Sequence, residues 1–348
     1  MSKTNLQVSI ALIGAGANTT LRHIPGFQAL EGVDIIGVVN RSRQSSQRIA
    51  DDYNIPKIYD HWTEAVADPD VDAICIGTWP YTHRVMVEEA LANGKHVMTE
   101  ARMAMDSMEA RSMLDASKMH PDLITQIVPA PLTFKVDKTI IKLLREGYLG
   151  DILSVDLISH LGGFVDREEP MHWRYDRDFS GYNIMYMGIW YETLMRWVGP
   201  ASSVSTMNRI VVPSRENKGG QGQVITIPDH VEILAVMTSG PIAHLRFSSI
   251  TGHAPNDQVW MFGSEGTLHL DVPSMTLSGG QRGDINMSPI EIPPSDQADW
   301  RVEEEFINAI RGKEKILLTS FEDGVRYMEF TEAVTRSAQE QRAVPLPL

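Results

Sequence analysis

Short apolar runs alternate with amphipathic stretches over the first third of the chain. "VSIALIG" (8–14), "VDIIGVVN" (33–40), "VDAICIGT" (71–78) and "HVMTE" (96–100) are each mostly apolar and end in glycine or a polar residue. Such runs suit strands buried on both faces of a parallel sheet. Between them, "RSRQSSQRIADDYN" places Ile49 and Tyr53 four apart, one helical turn. "THRVMVEEALANGK" opens on a threonine cap and closes on Gly94. Strand alternating with helix predicts a doubly wound α/β Rossmann domain over residues 1–125.

The pattern then changes. "VDKTIIKLLREGYLG" reads as an amphipathic helix with a glycine stop. After Gly150 the strands come without helices between them: "ILSVDLISH", "SSVSTMNRIVV", "VEILAVMTS", "IAHLRFSSI", "QVWMFGS" and "GTLHLDV". That order predicts an antiparallel sheet, so residues 126–348 read as an α+β domain. "WRVEEEFINAIRG" and "EDGVRYMEFTEAVTRSAQEQ" read as closing helices, free to pack back on the first domain. "PSRENKGGQGQ" (213–223) is polar and glycine-rich, and a mobile loop is expected there. No internal repeat is visible.

Composition narrows the partners. With 348 residues, 43% hydrophobic, the chain can bury a core for two domains. A net charge of −14 argues against nucleic acid or an anionic membrane, both of which need a basic surface. Most of those acids are expected on solvated surface. Cys75 is the single cysteine, flanked by Ile74 and Ile76, and reads as a buried strand residue. No internal disulfide is possible, no apolar run approaches a membrane span, and the N-terminus lacks a signal-peptide pattern. These features predict a cytoplasmic protein. The 11 histidines show no metal-ligand spacing, so no metal is expected. No G-x-S-x-G elbow is present. The methionines at 98, 103, 105, 108 and 113 read as core.

"GAGANT" (14–19) carries the first candidate chemistry. It follows a predicted strand and precedes a helix. Gly14 permits the tight turn, and Gly16 lets the backbone approach a pyrophosphate resting on the helix start with Ala17 and Asn18. Thr19 stands where the fingerprint has its third glycine. The acid that binds NAD ribose about 20 residues later is Asn40 here, followed by Arg41, Ser42 and Arg43. Asn40 does not repel a 2′-phosphate, and two guanidiniums and a hydroxyl suit one. The pattern favours NADP over NAD. The bland alternative is a tight turn followed by solvated residues that open a helix.

These residues resemble the Gfo/Idh/MocA oxidoreductases, the glucose-fructose oxidoreductase and inositol dehydrogenase group, from end to end. "VADPDVDAICIGTWPYTH" is similar to the family's fourth strand and the turn under the nicotinamide, with Thr78 and His83 matching and Trp79 a further cofactor-site candidate beside them. "ALANGKHVMTE" is similar to its fifth strand, with Glu100 opening the Glu-Lys-Pro motif. "REGYLGDI", "MHWRYDRDFSG", "FGSEGTLHL", "FINAIRG" and "FEDGVRYMEFTEA" follow in order. The resemblance implies a large open sheet in the second domain, NAD(P), and hydride transfer at a carbon of a carbohydrate-like substrate. It also implies a homodimer or homotetramer built on that sheet, and a Trp173–Arg174 pair near the cofactor.

The resemblance breaks at the family's acid/base residues. Ala101 stands where its lysine follows Glu100, and Arg102 where its proline does. The helix positions of its Asp and His are Tyr186 and Trp190, and a further aspartate is Thr193. Tyr186 and His172 are therefore the candidate proton relay, with Arg102 orienting cofactor or substrate. A tyrosine serves if a cation lowers its pKa, and a histidine starts near ~6.5. Trp190 is a candidate stacking wall for a sugar face, with Tyr182, Tyr191 and Glu192 nearby. Packed core is the competing reading for Tyr186 and Trp190, and a backbone-contacting loop histidine for His172. Three functions fit: an oxidoreductase with a non-standard relay, a redox-assisted lyase or glycoside-cleaving enzyme that holds NAD(P) tightly, and a non-catalytic dinucleotide sensor.

Overall fold

The computed structural model describes residues 7–348. The first elements in chain order are β1 (Val8–Ile13), α1 (Ile24–Gln28), β2 (Val33–Val39), α2 (Arg43–Tyr53), β3 (Lys57–Ile58) and α3 (Trp62–Ala67). Next come β4 (Ala73–Ile76), α4 (Pro80–Ala92), β5 (His96–Thr99), α5 (Ser107–Met119), β6 (Thr125–Ile127) and α6 (Phe134–Arg145). The strands β7 (Ile152–His160), β8 (Ala201–Arg209), β9 (Ser214–Glu216), β10 (Gly222–Val224), β11 (His230–Met237) and β12 (Ile242–Ser248) follow, with α7 (Arg177–Ser180) and α8 (Met187–Val198) between β7 and β8. Then come β13 (Gln258–Gly263), β14 (Gly266–Asp271), β15 (Thr276–Gln281), β16 (Ser288–Pro289), α9 (Val302–Ile310), α10 (Phe321–Glu340) and β17 (Val344–Pro345). The chain divides into two compact units, Met1–Pro129 with Arg301–Val325, and Ala130–Trp300 with Arg326–Leu348.

The first unit is a six-stranded parallel sheet in the order β3-β2-β1-β4-β5-β6. Chain direction across the sheet reverses between β1 and β4, the switch point where such sheets bind ligands. Ile10, Leu12, Ile74, Ile76, Val97 and Met98 are almost wholly excluded from water, as continuous apolar runs predict. Cys75 is buried among them. Ser42 caps α2, its hydroxyl accepting from the Ser45 amide. α4 starts at Pro80, not at a Thr82 cap. Proline has no N–H to waste in the first turn, and the Thr82 hydroxyl instead donates to Trp79 O at 3.0 Å. Residues 301–325 complete this unit: Gln126 Nε2 donates to Glu305 Oε2 at 2.9 Å and to Leu318 O at 2.6 Å.

The second unit is a nine-stranded sheet in the order β16-β15-β14-β13-β7-β12-β11-β8-β17. All its pairs are antiparallel except β7 with β12. One face is core: Val155, Leu157, Ile233, Leu245, Val259 and Leu268 are fully buried. The alternate residues form the outer face, with Met207, Leu234, Val236 and Ile242 exposed beside a Glu232–His244–Arg246 cluster. The stretch expected to be a mobile loop instead holds a β9–β10 hairpin. It is tied down because Arg215 Nη1 donates to Glu169 O at 2.7 Å and the Met171 amide donates to Glu216 O at 2.8 Å.

Candidate dinucleotide site and candidate proton relay

Three close approaches shape the loop after β1. Gly14 has φ +85°, and a side chain there would lie 2.6 Å from Thr78 Cγ2. The Thr19 hydroxyl, buried, donates to Gly14 O at 3.2 Å. A Cβ on Gly77 would lie 2.2 Å from that hydroxyl and 2.3 Å from Gly14 O. The clearance expected of a third glycine at position 19 is thus supplied by Gly77 on the neighbouring strand end. Gly16 is open: the nearest atom to a Cβ there is Gly77 O at 3.7 Å. Gly16 and Ala17 are exposed, Asn18 and Thr19 begin a π-helical turn (Thr19–His23), and α1 continues it. Open backbone at a helix start suits an anion.

Asn40 acts on this loop. Its Oδ1 accepts from the Ala15 amide at 2.6 Å, while its Nδ2 faces Ser45 O and Oγ at 3.3 and 3.2 Å. The side chain staples the glycine loop to the first turn of α2. That turn contains no acid. Arg43 is ion-paired with Asp60 and both are mostly exposed, so the pair is weak. The Arg41 guanidinium lies over the Trp79 ring, 5.8 Å from its centroid.

At the ends of β4 and β5, Thr78 is half-buried, its hydroxyl 2.7 Å from that of Thr82. His83 is fully buried, with its ring nitrogens 3.1 Å from Met103 O and 3.1 Å from Thr78 O. Burial pushes its pKa down despite those carbonyls. Its ring pins the turn after β4 to the Met103 carbonyl, and any part it plays at the cofactor is through the turn it holds. Arg102, expected to orient cofactor or substrate, is also buried, at 5% exposure. Neither Lys57 nor Lys95 stands beside Ala101. Lys95 lies at the opposite end of β5, donating to Asp68 O and Val71 O, and Lys57 pairs with Asp68.

Glu100 is held by residues whose role the sequence did not suggest. Its Oε1 accepts from Asn18 Nδ2 at 2.5 Å and lies 2.9 Å from His23 Nε2. His23 Nδ1 lies 2.5 Å from Glu303 Oε1. His23 is fully buried and Glu303 is 3% exposed. Burial alone would push the imidazole pKa down, but the two carboxylates raise it to about 9. Burial also opposes ionisation of Glu100, yet His23 and Asn18 hold its pKa below the usual carboxylate range. Gly26 makes room, since a Cβ there would lie 2.7 Å from the Glu303 carboxylate.

In the second unit, Tyr186 is 45% exposed and sits at the N-cap of α8, while Trp190 is 1% exposed. They do not share a face, because helical geometry begins only after Tyr186. Trp190 is core, not a stacking wall. Tyr191 is core as well: its ring stacks on Phe330 at 3.7 Å, and its hydroxyl accepts from the Ala201 amide at 2.8 Å. Glu192 is buried, accepting from the Ala130 amide at 3.0 Å and from Arg196 at 3.0 Å. These three expected substrate contacts are structural. Tyr182 is half-buried under the Arg177 guanidinium, 5.1 Å from its ring centroid. His172 is exposed and caps the 3-10 turn Trp173–Tyr175, its Nδ1 accepting from the Arg174 amide at 3.3 Å. Burial of part of the ring and the charge of Arg174 push its pKa down. Arg174 stacks on Trp173 at 4.4 Å and interacts electrostatically with Tyr186.

Among the described residues, no group of three or more His, Cys, Asp or Glu side chains could hold a metal ion, and no helix is long and apolar enough to cross a membrane. Residues 8–126 match a family model described as an oxidoreductase family with an NAD-binding Rossmann fold, and residues 138–269 match the GFO/IDH/MocA C-terminal domain. The chain is 30% identical over 131 residues to trans-1,2-dihydrobenzene-1,2-diol dehydrogenase of Xenopus laevis, covering 37% of this chain and 39% of that protein. It is 23% identical to dTDP-3,4-didehydro-2,6-dideoxy-alpha-D-glucose 3-reductase of Streptomyces antibioticus, covering 96% of this chain and 98% of the other. The fold is similar to that of levoglucosan dehydrogenase in complex with NADH and L-sorbose, with a TM-score of 0.87, 18% identity, and 98% and 99% of the two chains covered.

Proposed function

Because the chain belongs to the Gfo/Idh/MocA oxidoreductases, we propose that it moves a hydride between NAD(P) and a carbinol or carbonyl carbon of a small sugar- or polyol-like compound, by a proton relay without lysine. The observation that carries this reading is the open backbone at Gly16, held by Thr19, Gly77 and Asn40 at the start of a helix. Nothing in that loop fills the space a pyrophosphate needs. Bound nicotinamide supplies the hydride acceptor or donor.

The chain's residues do the rest. The glycine loop amides hold phosphate, and Asn40 fixes the loop. The acid-free start of α2 with Arg41 and Ser42 suits a 2′-phosphate, so NADP binds at least as tightly as NAD. In the oxidative direction Tyr186 takes the substrate hydroxyl proton as its own phenolic proton leaves to His172, with Arg174 beside it. His172, neutral at pH 7 and free at Nε2, passes the proton on. Tyr182 and Trp173 offer ring faces to the substrate. The exposed Met207, Leu234, Val236 and Ile242 on the outer sheet face would be covered in a homodimer or homotetramer.

Calorimetric titration with NAD and NADP, followed by nicotinamide absorbance with a carbohydrate panel, tests the reading. Tyr186→Phe keeps the ring and removes the hydroxyl, and a loss on the order of 100-fold in kcat is expected. Failure to bind either dinucleotide would sink the proposal. Ala101 in place of the family's lysine favours one rival, a dinucleotide sensor, which would bind tightly and turn nothing over. Product without net reduced nicotinamide would indicate transient oxidation within a lyase.

A further inference from the structure

We propose that Glu303 and His23 form a buried charge chain behind Glu100 that sets the site's preference for oxidised over reduced nicotinamide. The inference rests on the dinucleotide reading above and deepens it. Glu100 follows the last residue of β5, in the half of the sheet beyond the β1–β4 switch point. In a doubly wound sheet that half takes the second mononucleotide, here the nicotinamide end. The carboxylate is not a free side chain. Asn18 and His23 converge on the same oxygen, at 2.5 and 2.9 Å.

His23 in turn reaches Glu303 at 2.5 Å, on a helix 280 residues away in sequence. The chain thus runs from the dinucleotide loop through β5 to α9, entirely within the first unit. Its charge is two carboxylates against one imidazolium, a net of one negative. Oxidised nicotinamide carries a positive ring and reduced nicotinamide a neutral one. A fixed net negative charge beneath the ring stabilises the oxidised form selectively, and low local polarity lets that charge act with little screening. His23 is what joins the two carboxylates, its ring nitrogens lying 2.9 Å from Glu100 Oε1 and 2.5 Å from Glu303 Oε1. Glu303 touches no ligand in this arrangement. It is a positioning residue that acts through His23 and Glu100.

Glu303→Gln tests this, with binding rather than turnover as the readout. The amide keeps the side chain's size and a hydrogen bond to His23, and removes one charge. At pH 6 the imidazolium stays protonated against Glu100 alone, so the variant's chain is neutral. Dissociation constants for oxidised and reduced dinucleotide are measured by calorimetry on wild type and variant. The preference for the oxidised form is expected to fall by about tenfold, the scale on which one partly screened charge acts. A purely structural role would weaken both redox forms alike, and that result, or an unchanged ratio, overturns the proposal.

A second measurement needs no variant. Between pH 7 and 10 the wild-type His23 loses its proton, the chain moves towards two negative charges, and preference for the oxidised form should rise. Beside His23 and Glu100 stand Asn18, Glu303 on α9, Cys75 on β4 and His83 on α4, and the buried Arg102 follows two residues after Glu100 with a charge that does not change over this range. Burial pushes the Cys75 thiol up, so it stays protonated, and His83 is already neutral. A flat ratio across that range overturns the charge chain even if Glu303→Gln does not fold. Wild-type protein that binds neither form at any pH would instead remove the dinucleotide reading itself.

Discussion

Gly16→Ala and Gly77→Ala should separate the stability of the glycine loop from its binding. The two positions differ in what a methyl group meets. At Gly16 the nearest atom is Gly77 O at 3.7 Å, an ordinary van der Waals contact, and the residue lies outside the left-handed region. Adding the methyl restricts the unfolded chain and strains nothing, which predicts a stability change between zero and a gain of about 0.5–1 kcal/mol. At Gly77 the methyl would lie 2.2 Å from Thr19 Oγ1 and 2.3 Å from Gly14 O. The hydroxyl can rotate away, but the Gly14 carbonyl is backbone and part of the turn itself. Relief requires the turn and the end of β4 to part by roughly 1 Å, an overpacking cost of about 1–3 kcal/mol or more. Thermal unfolding should therefore show Gly16→Ala at or slightly above wild type and Gly77→Ala several degrees below it. Both variants should bind dinucleotide at least tenfold more weakly. Gly16→Ala places its methyl where the pyrophosphate must approach, and Gly77→Ala moves the loop that receives it. Gly16→Ala with wild-type affinity would refute the assignment of the loop. Gly77→Ala with wild-type Tm would refute the packing argument.

Stability should also fall above neutral pH through His23. Its folded pKa of about 9 lies above the unfolded value of 6.5, so its contribution is fully present below about pH 6.5 and is lost as pH rises through about 9. The loss is on the order of 3 kcal/mol, and urea unfolding of His23→Gln over the same range should lack that fall. Arg196→Ala strips the guanidinium from Glu192 and Asp137, both buried, and should cost about 3–5 kcal/mol in denaturant unfolding while dinucleotide affinity stays unchanged in the folded protein. Arg41→Ala should weaken NADP more than NAD in calorimetric titration. Arg43→Ala should do so less, because Arg43 already has Asp60 as its partner; equal losses from both variants would count against that ordering.

The elements that were legible in the sequence are those whose burial is written in hydrophobicity. β1, β2, β4 and β5 are buried on both faces and read as unbroken apolar runs; β7 and β11 bury one face and read as alternation. β15, "TLSGGQ", has no such signature, because Gly279 and Gly280 show no side chain on either face. The parallel pairing of β7 with β12 was equally invisible, since a period of two is the same whichever way the neighbour runs. The site divides along the same line. The glycine loop is local chemistry and was readable, whereas Gly77, which makes room for Thr19, could be recognised only once β1 and β4 lay side by side.

Charged residues invert the rule that made the strands readable. The acids of this chain were expected at the surface, and the run Glu303–Glu304–Glu305 would pass for a solvated helix start. Two of its three members are buried, Glu303 against His23 and Glu305 against Gln126 and the Leu317 amide. A carboxylate stays ionised in such a place only with partners that replace water, and those partners come from other parts of the fold. Local pattern cannot register them, because the pairing lies across 280 residues for His23 and 179 for Gln126. The same reasoning explains Trp190, Tyr191 and Glu192, which lie on the helix where the family keeps part of its acid/base apparatus and are nevertheless wholly internal. Position on a helix told which element they occupy, but the face each one takes is decided by what packs against that helix. Tyr186 alone of that set escapes burial, because it precedes the first helical residue and so is turned out of the packed face.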